Sequence, residues 1–155
     1  CKSAEELAPI VRSAGYFRVK AIRLKNVVDF IVNEFGDVET MMREPTQSLR
    51  TQLLGVHGIG PETADSILLY AGNKATFVVD TYTARVVKRH GWAPTDADYD
   101  ALKTLFESGL ERDLTLFNEY HALLVRVGKE YCRPSPKCEG CPLQDMLPDG
   151  GPLDL

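Results

Sequence analysis

The sequence predicts an all-α fold, and three observations carry that expectation. Apolar side chains recur at helical spacing in three long stretches, strand-like runs are nearly absent, and the turns between periodic stretches contain glycine. The chain has 155 residues, 44% of them hydrophobic and 26% charged. That is enough apolar material for a sizeable core and too much for a chain that stays disordered.

The elements follow in order. Ala21, Leu24, Val28, Ile31 and Phe35 step by three and four, which places them on one face of a helix. A second helix is expected to end near Leu54. After a short Gly-containing turn, Pro61 stands at the favoured first position of another, which Ile67, Leu68 and Ala71 continue. Residues 75–79 (ATFVV) are the best strand-like run, but with no partner strand they read as an apolar loop entering the core. Asp80 is a residue type that opens helices, and Ala84 and Val87 continue one behind it. Tyr99, Leu102, Phe106 and Leu110 form a further stripe, and Phe117, Tyr120, Leu124, Val127 and Tyr131 another. The expected organisation is a helical bundle over residues 1–110, a C-terminal helix and cysteine loop over 111–147, and a tail over 148–155.

Charge narrows the function. The chain carries 18 Lys and Arg against 22 Asp and Glu, a net charge of −4, with no polybasic block. Bulk electrostatic attraction is therefore excluded as a basis for binding nucleic acid, and any such contact must use a few placed groups. No apolar run approaches the roughly 20 residues of a membrane-spanning helix, so no membrane partner is expected. The sequence opens at Cys1 without an initiator Met and reads as a fragment. Three of the four cysteines crowd into residues 132–141. Clustered thiols in a Cys-poor chain point to a metal or iron–sulfur site in a reducing compartment rather than to a disulfide scaffold.

Residues 53–64 read LLGVHGIGPETA. A plain connection between two helices accounts for them without any partner. A functional reading uses Gly58 and Gly60 to take φ > 0 and let another molecule approach closely. Backbone amides at the start of the new helix would then form an anion site suited to a DNA phosphate, with no basic side chain needed. The pattern L-x-G-hydrophobic-G-x-x-T-A resembles the helix-hairpin-helix motif of the endonuclease III (HhH-GPD) superfamily of DNA base-excision glycosylases. By that resemblance, the carbonyls of Leu54, Val56 and Ile59 hold a K+ or Na+ that bridges to the phosphate.

Asp80 also carries two readings. As a helix N-cap it is structural. As a carboxylate at the mouth of a cleft it could stabilise the positive charge that develops on a sugar as its glycosidic bond breaks, and could position or deprotonate a water. Val79-Asp80-Thr81 with Arg85-Val86 resembles the V-D-T-x-x-x-R-[VL] segment that follows the hairpin in the superfamily and carries the catalytic Asp. The resemblance makes Asp80 the catalytic residue and Arg85 a group that shapes the site; the capping and catalytic readings are compatible.

Bifunctional members of the superfamily carry a lysine in G-x-G-x-K-T-A whose amine forms a Schiff base with the sugar. Glu62 occupies that position here. A carboxylate cannot form a Schiff base, so AP lyase activity is not expected. Glu62 is read either as a first-turn acid favoured by the helix dipole or as a group near the sugar. Gly58-Ile59-Gly60-Pro61-Glu62-Thr63-Ala64, the opening Ser13-Ala14-Gly15-Tyr16-Phe17-Arg18-Val19-Lys20-Ala21, and Asp98-Tyr99-Asp100 with Leu102 are similar to the 3-methyladenine DNA glycosylase III type. The superfamily resemblance runs from about residue 8 to 147.

Cys132, Cys138 and Cys141 stand as C-x5-C-x2-C. With Gly128-Lys129-Glu130-Tyr131 before them, they look like the C-x6-C-x2-C-x5-C loop that holds a 4Fe–4S cluster in endonuclease III. The first spacing is one residue shorter, and Leu147 stands where the fourth Cys would be. Three outcomes stay open: a cluster on three cysteines with another ligand such as Asp145, a zinc or vestigial site, and free thiols. Cys1 is a poor substitute. By resemblance Lys129, Arg133 and Lys137 are candidate phosphate contacts. Arg85, Lys88, Arg89 and His90 otherwise read as a solvated helix face, His121 as a satisfied half-buried histidine, and Trp92 as packing.

The resemblance thus implies a monofunctional glycosylase of base-excision repair. It would flip a damaged, alkylated base from double-stranded DNA and hydrolyse its N-glycosidic bond, working as a monomer and, in a prokaryote, in the cytoplasm at the nucleoid. The family's base pocket is built largely from an N-terminal region that this sequence does not include. An endonuclease III-type lyase acting on oxidised pyrimidines and a non-catalytic helix-hairpin-helix DNA-binding module are the alternatives.

Overall fold

The computed structural model describes residues 2–155, so the fourth-ligand question for Cys1 falls outside the described residues. The helices are α1 (Ala4–Leu7), α2 (Phe17–Glu34), α3 (Val38–Met42), α4 (Thr46–Leu54), α5 (Pro61–Ser66), α6 (Thr81–Arg89), α7 (Tyr99–Gly109) and α8 (Leu114–Glu130). Among the described residues there is no strand. The helical chain after α5 runs on as a π-helical turn, Ile67–Ala71. Two compact units divide at Ala64 and Asp65, within α5.

Capping fixes where several helices start. Asp37, Asp80, Asp98 and Asp113 each stand before a helix in extended backbone and accept the N–H three residues on, at 2.7, 2.7, 2.8 and 2.7 Å. Ser3 and Glu6 form a reciprocal capping box on α1. Each such cap contributes about 1 kcal/mol.

In the first unit the core is Ala21, Met41, Leu49, Leu53, Val56, Ile59 and Ala64. The apolar stripe expected on α2 is only partly used: Ala21 is fully buried, whereas Leu24 is 40% exposed. Within its own unit this long helix meets α1 and the short 3-10 turn at Arg12–Ala14, and Val28, Ile31 and Phe35 of its stripe are half-buried.

The second unit is organised by the loop over residues 75–79. As expected of an apolar run with no partner strand, it has no regular structure, and Phe77, Val78 and Val79 are buried. Phe77 stacks on Phe106 of α7 at 4.1 Å and meets Phe117 of α8 edge-on at 5.4 Å. The stripes of α7 and α8 bury as expected, through Leu102, Phe106, Phe117, Leu124 and Val127. The expected tail is pinned: Leu153 donates its N–H to the Arg89 carbonyl at 3.0 Å.

Helices α6 and α8 pack directly against each other, and Gly128 sets how closely. A Cβ on Gly128 would lie 2.5 Å from the Tyr82 Cβ, which has no freedom to move aside without its helix. Alanine improves helix propensity by about 1 kcal/mol over glycine. Overpacking costs about 1–3 kcal/mol. Gly128→Ala is therefore expected to lower stability, by about 1–2 kcal/mol once the propensity gain is offset. Urea unfolding checks this, and a stabilised variant would show that the helices are free to part.

Candidate functional site

The hairpin turn lies between α4 and α5. Val56 donates its N–H to Leu53 and Ile59 to Val56, each at 3.0 Å, and Ala64 bonds Gly60 at 2.9 Å. The Asn26 side-chain amide of α2 donates to the His57 carbonyl at 2.9 Å and steadies the tip. The two glycines have different jobs. Gly58 takes φ +94°, and a Cβ there would sit 2.5 Å from Cγ of Arg23, whose stem covers it. Gly60 has no positive φ, contrary to the expectation for both glycines, and the space where its Cβ would be is open. Close approach by another molecule is thus free at Gly60, while Gly58 serves the turn and Arg23. Glu62 lies exposed in the first turn of α5. Of the three carbonyls expected to face a cation, that of Val56 already accepts the Ile59 N–H and keeps one lone pair.

In the second unit Asp80 is the N-cap of α6. Its Oδ1 accepts the Thr83 N–H, and its Oδ2 lies 3.7 Å from Nε2 of His121. The other imidazole nitrogen, Nδ1, meets the Tyr70 hydroxyl at 2.5 Å. His121 was expected to be a satisfied histidine; instead its Nε2 is buried without a hydrogen-bond partner. Burial lowers the His121 pKa from its ordinary value of 6.5, against the charge of Asp80, which raises it. Burial raises the Tyr70 pKa, and Asp80 adds to the effect.

The loop that delivers Asp80 is anchored by a buried polar cluster that periodicity does not reveal. Asp65 is fully buried and Lys103 nearly so. The Lys103 ammonium lies 3.4 Å from Asp65 Oδ1 and 2.6 Å from Glu107 Oε1. It also donates to the Thr76 hydroxyl and, at 3.2 Å, to the Phe77 carbonyl. Glu107 accepts the Phe77 N–H at 2.9 Å, and the Tyr99 hydroxyl donates to Asp65 Oδ2 at 2.9 Å. Arg112 closes the loop's other end by donating to the Ala75 carbonyl at 3.1 Å. A Lys four residues before a Glu was visible in the sequence as 103 and 107, but the helical stripe gave no sign that this pair faces inward.

Arg85 and Arg89 of α6 do not form a solvated face. Arg85 donates to the Cys132 carbonyl at 2.6 Å and lies over the Tyr82 ring, so its guanidinium is committed to holding the cysteine loop rather than exposed for DNA. Arg89 is buried; it donates to the Arg133 and Pro134 carbonyls and lies 3.6 Å from the Cys132 sulfur. His90 is also buried, bonding the Val86 carbonyl at 2.7 Å, with Trp92 packed on its ring at 4.6 Å. Lys129 is exposed, 5.9 Å from the Tyr82 ring centre, while Arg133 and Lys137 are exposed on the loop.

Cys132, Cys138 and Cys141 are free thiols that line one small cavity with Arg89, His90, Lys137 and Leu147. Burial and the neighbouring Cys141 and Cys132 sulfurs push the Cys138 thiol up, against the pull of Arg89. Leu147 puts an apolar side chain on the wall where a fourth thiolate would be needed, and Asp145 does not line the cavity. Among the described residues no three His, Cys, Asp or Glu are grouped to hold a metal ion. Three thiols without a fourth leave the cysteine set short of the four thiolates of a 4Fe–4S cluster.

These features define an all-helical protein with a helix-hairpin-helix turn and a capped, buried-loop aspartate. The chain belongs to the HhH-GPD superfamily of base excision DNA repair proteins, whose family model matches residues 2–112. It is 45% identical over 144 residues to a Methanocaldococcus jannaschii protein named provisionally as a DNA repair glycosylase, covering 92% of this chain and 66% of that one. It resembles the structure of a non-covalent endonuclease III–DNA complex with a TM-score of 0.75 and 26% identity, over 96% of this chain and 66% of that one. The H. pylori 3-methyladenine DNA glycosylase MagIII bound to 1,N6-ethenoadenine matches with a TM-score of 0.72 and 30% identity, over 83% and 64%. The chain thus spans less than two thirds of the length of each.

Burial of His121 predicts a pH dependence of stability. Because its folded pKa is lowered, the unfolded chain takes up a proton first as pH falls through about 6.5. Stability contributed by the neutral form is present above that value and is lost as pH falls toward the folded pKa. Urea unfolding at about pH 7.5 and pH 5.5 should show this loss, and His121→Gln should reduce it. An unchanged slope in the variant would mean that the imidazole titrates alike in both states.

Proposed function

We propose that this chain is the core of a monofunctional DNA N-glycosylase that extrudes an alkylated base from duplex DNA and hydrolyses its N-glycosidic bond. The observation that carries the reading is the Asp80 carboxylate. One oxygen is fixed by the Thr83 N–H, and the loop before it is locked by buried Lys103. A fixed anion of this kind stabilises an oxocarbenium-like sugar without reorganising as charge develops. It can also orient a water and accept its proton. Gly60, whose Cα is open, would let a phosphate approach the amides at the start of α5. Contacts to phosphate would set register on the duplex without reading sequence. In this reading the Leu54, Val56 and Ile59 carbonyls are the candidate seat of a K+ or Na+, and Lys129 is a phosphate contact.

Glu62 supports the hydrolytic branch. Where a lyase presents an amine to the sugar, this chain has a carboxylate in the first turn of α5. Water is then the nucleophile and the strand stays intact after base release.

Asp80→Asn tests the reading on duplex DNA carrying one alkylated purine. Single-turnover base release should fall by at least about a hundredfold. DNA binding should be unchanged or tighter, because repulsion of the phosphates is reduced. Release at the wild-type rate would remove Asp80 from the chemistry. The same reactions quenched with borohydride should give no protein–DNA adduct; an adduct would establish amine chemistry and favour an endonuclease III-type lyase.

A further inference from the structure

We infer that His121, aligned by Tyr70, is a positioning residue for Asp80: a neutral Nε2–H donor aimed at the second carboxylate oxygen. The inference rests on the reading of Asp80 as the carboxylate that acts on the sugar. Three elements of the second unit meet here. Asp80 opens α6, His121 projects from α8, and Tyr70 comes from the π-helical turn that follows α5. The Asp80 and His121 side chains are 14% and 11% exposed, so water screens the pair little. Replacing α-helical by π-helical winding over Ile67–Ala71 changes the direction in which Tyr70 points, and such turns are frequent at functional sites.

Geometry and charge together select one tautomer. Nε2 faces the Oδ2 of an anion at 3.7 Å. A lone pair there would be repelled, and an N–H is attracted. With the proton on Nε2, Nδ1 is a lone pair, and the Tyr70 hydroxyl at 2.5 Å becomes its donor. The order is thus Tyr70 O–H to Nδ1, then Nε2–H toward Oδ2. A separation of 3.7 Å is longer than a direct hydrogen bond. Closing it requires the carboxylate to turn about its fixed Oδ1 when the site is engaged. Among the described residues, the buried side-chain polar atoms lacking a hydrogen-bond partner are this Nε2 and Thr83 Oγ1. Both belong to residues that frame the Asp80 carboxylate, Thr83 through its N–H. Orphaned buried donors cost free energy and are uncommon unless they serve a site.

A neutral donor suits the task. With Oδ1 held by Thr83 and Oδ2 faced by the His121 donor, the carboxylate is oriented from both sides while its negative charge is kept for the sugar. Protonated His121 would instead pair with that charge and weaken it as a base and as a counter-charge. The titratable groups that face the imidazole are Asp80 from α6 and Tyr70 from the π-helical turn. Tyr70 stays neutral, with its pKa raised by burial. Base release should therefore decline in acid as His121 takes up a proton.

The test uses the full chain in two measurements. Nitrogen-15 NMR of the imidazole should show the Nε2–H tautomer near neutral pH, and Asp80→Asn should lower the His121 pKa, because the carboxylate raises it. On alkylated duplex DNA, His121→Leu should slow single-turnover release by about tenfold to a hundredfold, the scale of a misplaced reacting group. Its DNA affinity should stay within about twofold of wild type. His121→Gln, which restores an N–H donor that does not titrate, should recover most of the rate and lose the acid limb of the pH profile. An Nδ1–H tautomer, a Leu variant at the wild-type rate, or Gln and Leu variants equally slow would overturn the inference. If Asp80→Asn is inactive while His121→Leu is fully active, the positioning role alone fails. If Asp80→Asn is active, the catalytic reading fails, and the tautomer still reports whether the His121–Asp80 arrangement exists.

Discussion

The structure of the second unit turns on one buried ammonium group. Lys103 is drawn into the core because four acceptors converge on it: the Asp65 and Glu107 carboxylates, the Thr76 hydroxyl and the Phe77 carbonyl. Each would be costly to bury alone. Together they leave little unsatisfied, and removing one partner of such a set costs about 3–5 kcal/mol. The consequence is positional. The four acceptors come from three elements, α5, α7 and the loop, and two of them, at 76 and 77, lie in that loop, which has no ladder of its own. The cluster therefore does for residues 75–79 what a sheet would do for a strand, and Asp80 inherits the fixed position.

A second set of contacts makes the other wall. The absence of a side chain at Gly128 lets α8 lie against Tyr82 of α6. Arg85 and Arg89 then reach from α6 to the carbonyls of Cys132, Arg133 and Pro134. These two arginines tie the cysteine loop to the helix that starts with Asp80 through backbone acceptors that need no metal. A loop with three thiols and a leucine can keep its path on such bonds. The same close packing of α8 brings His121 to the carboxylate.

Much of the fold was legible. Spacings of three and four placed α2, α7 and α8, Asp80 marked the start of α6, and Pro61 marked the start of α5. The lack of a partner strand for residues 75–79 correctly signalled a buried apolar loop. Asp80 was legible as a helix N-cap, the position it takes in the structure. What was not legible depends on partners distant in sequence. Arg85, Arg89 and His90 sit in a charged run that looks solvated, and only the loop at 132–134 and the Leu143 carbonyl show why they turn inward. His121 is one turn from Leu124 and could be read only as half-buried, since nothing local reveals that Tyr70, 51 residues earlier, fixes its ring. Gly58 and Gly60 looked equivalent, and the positive φ of Gly58 and the Arg23 stem over it separate their roles.

The central claim is that the loop before Asp80 is a rigid support held by the Lys103 cluster. Native-state hydrogen exchange at the Phe77 and Thr83 amides measures this directly, because Phe77 donates to Glu107 and Thr83 to Asp80. If the cluster locks the loop, both amides exchange only through global unfolding, with the same denaturant dependence as the core of α8. Exchange of either amide through a low-energy local opening, insensitive to denaturant, would contradict it and leave Asp80 without a fixed position.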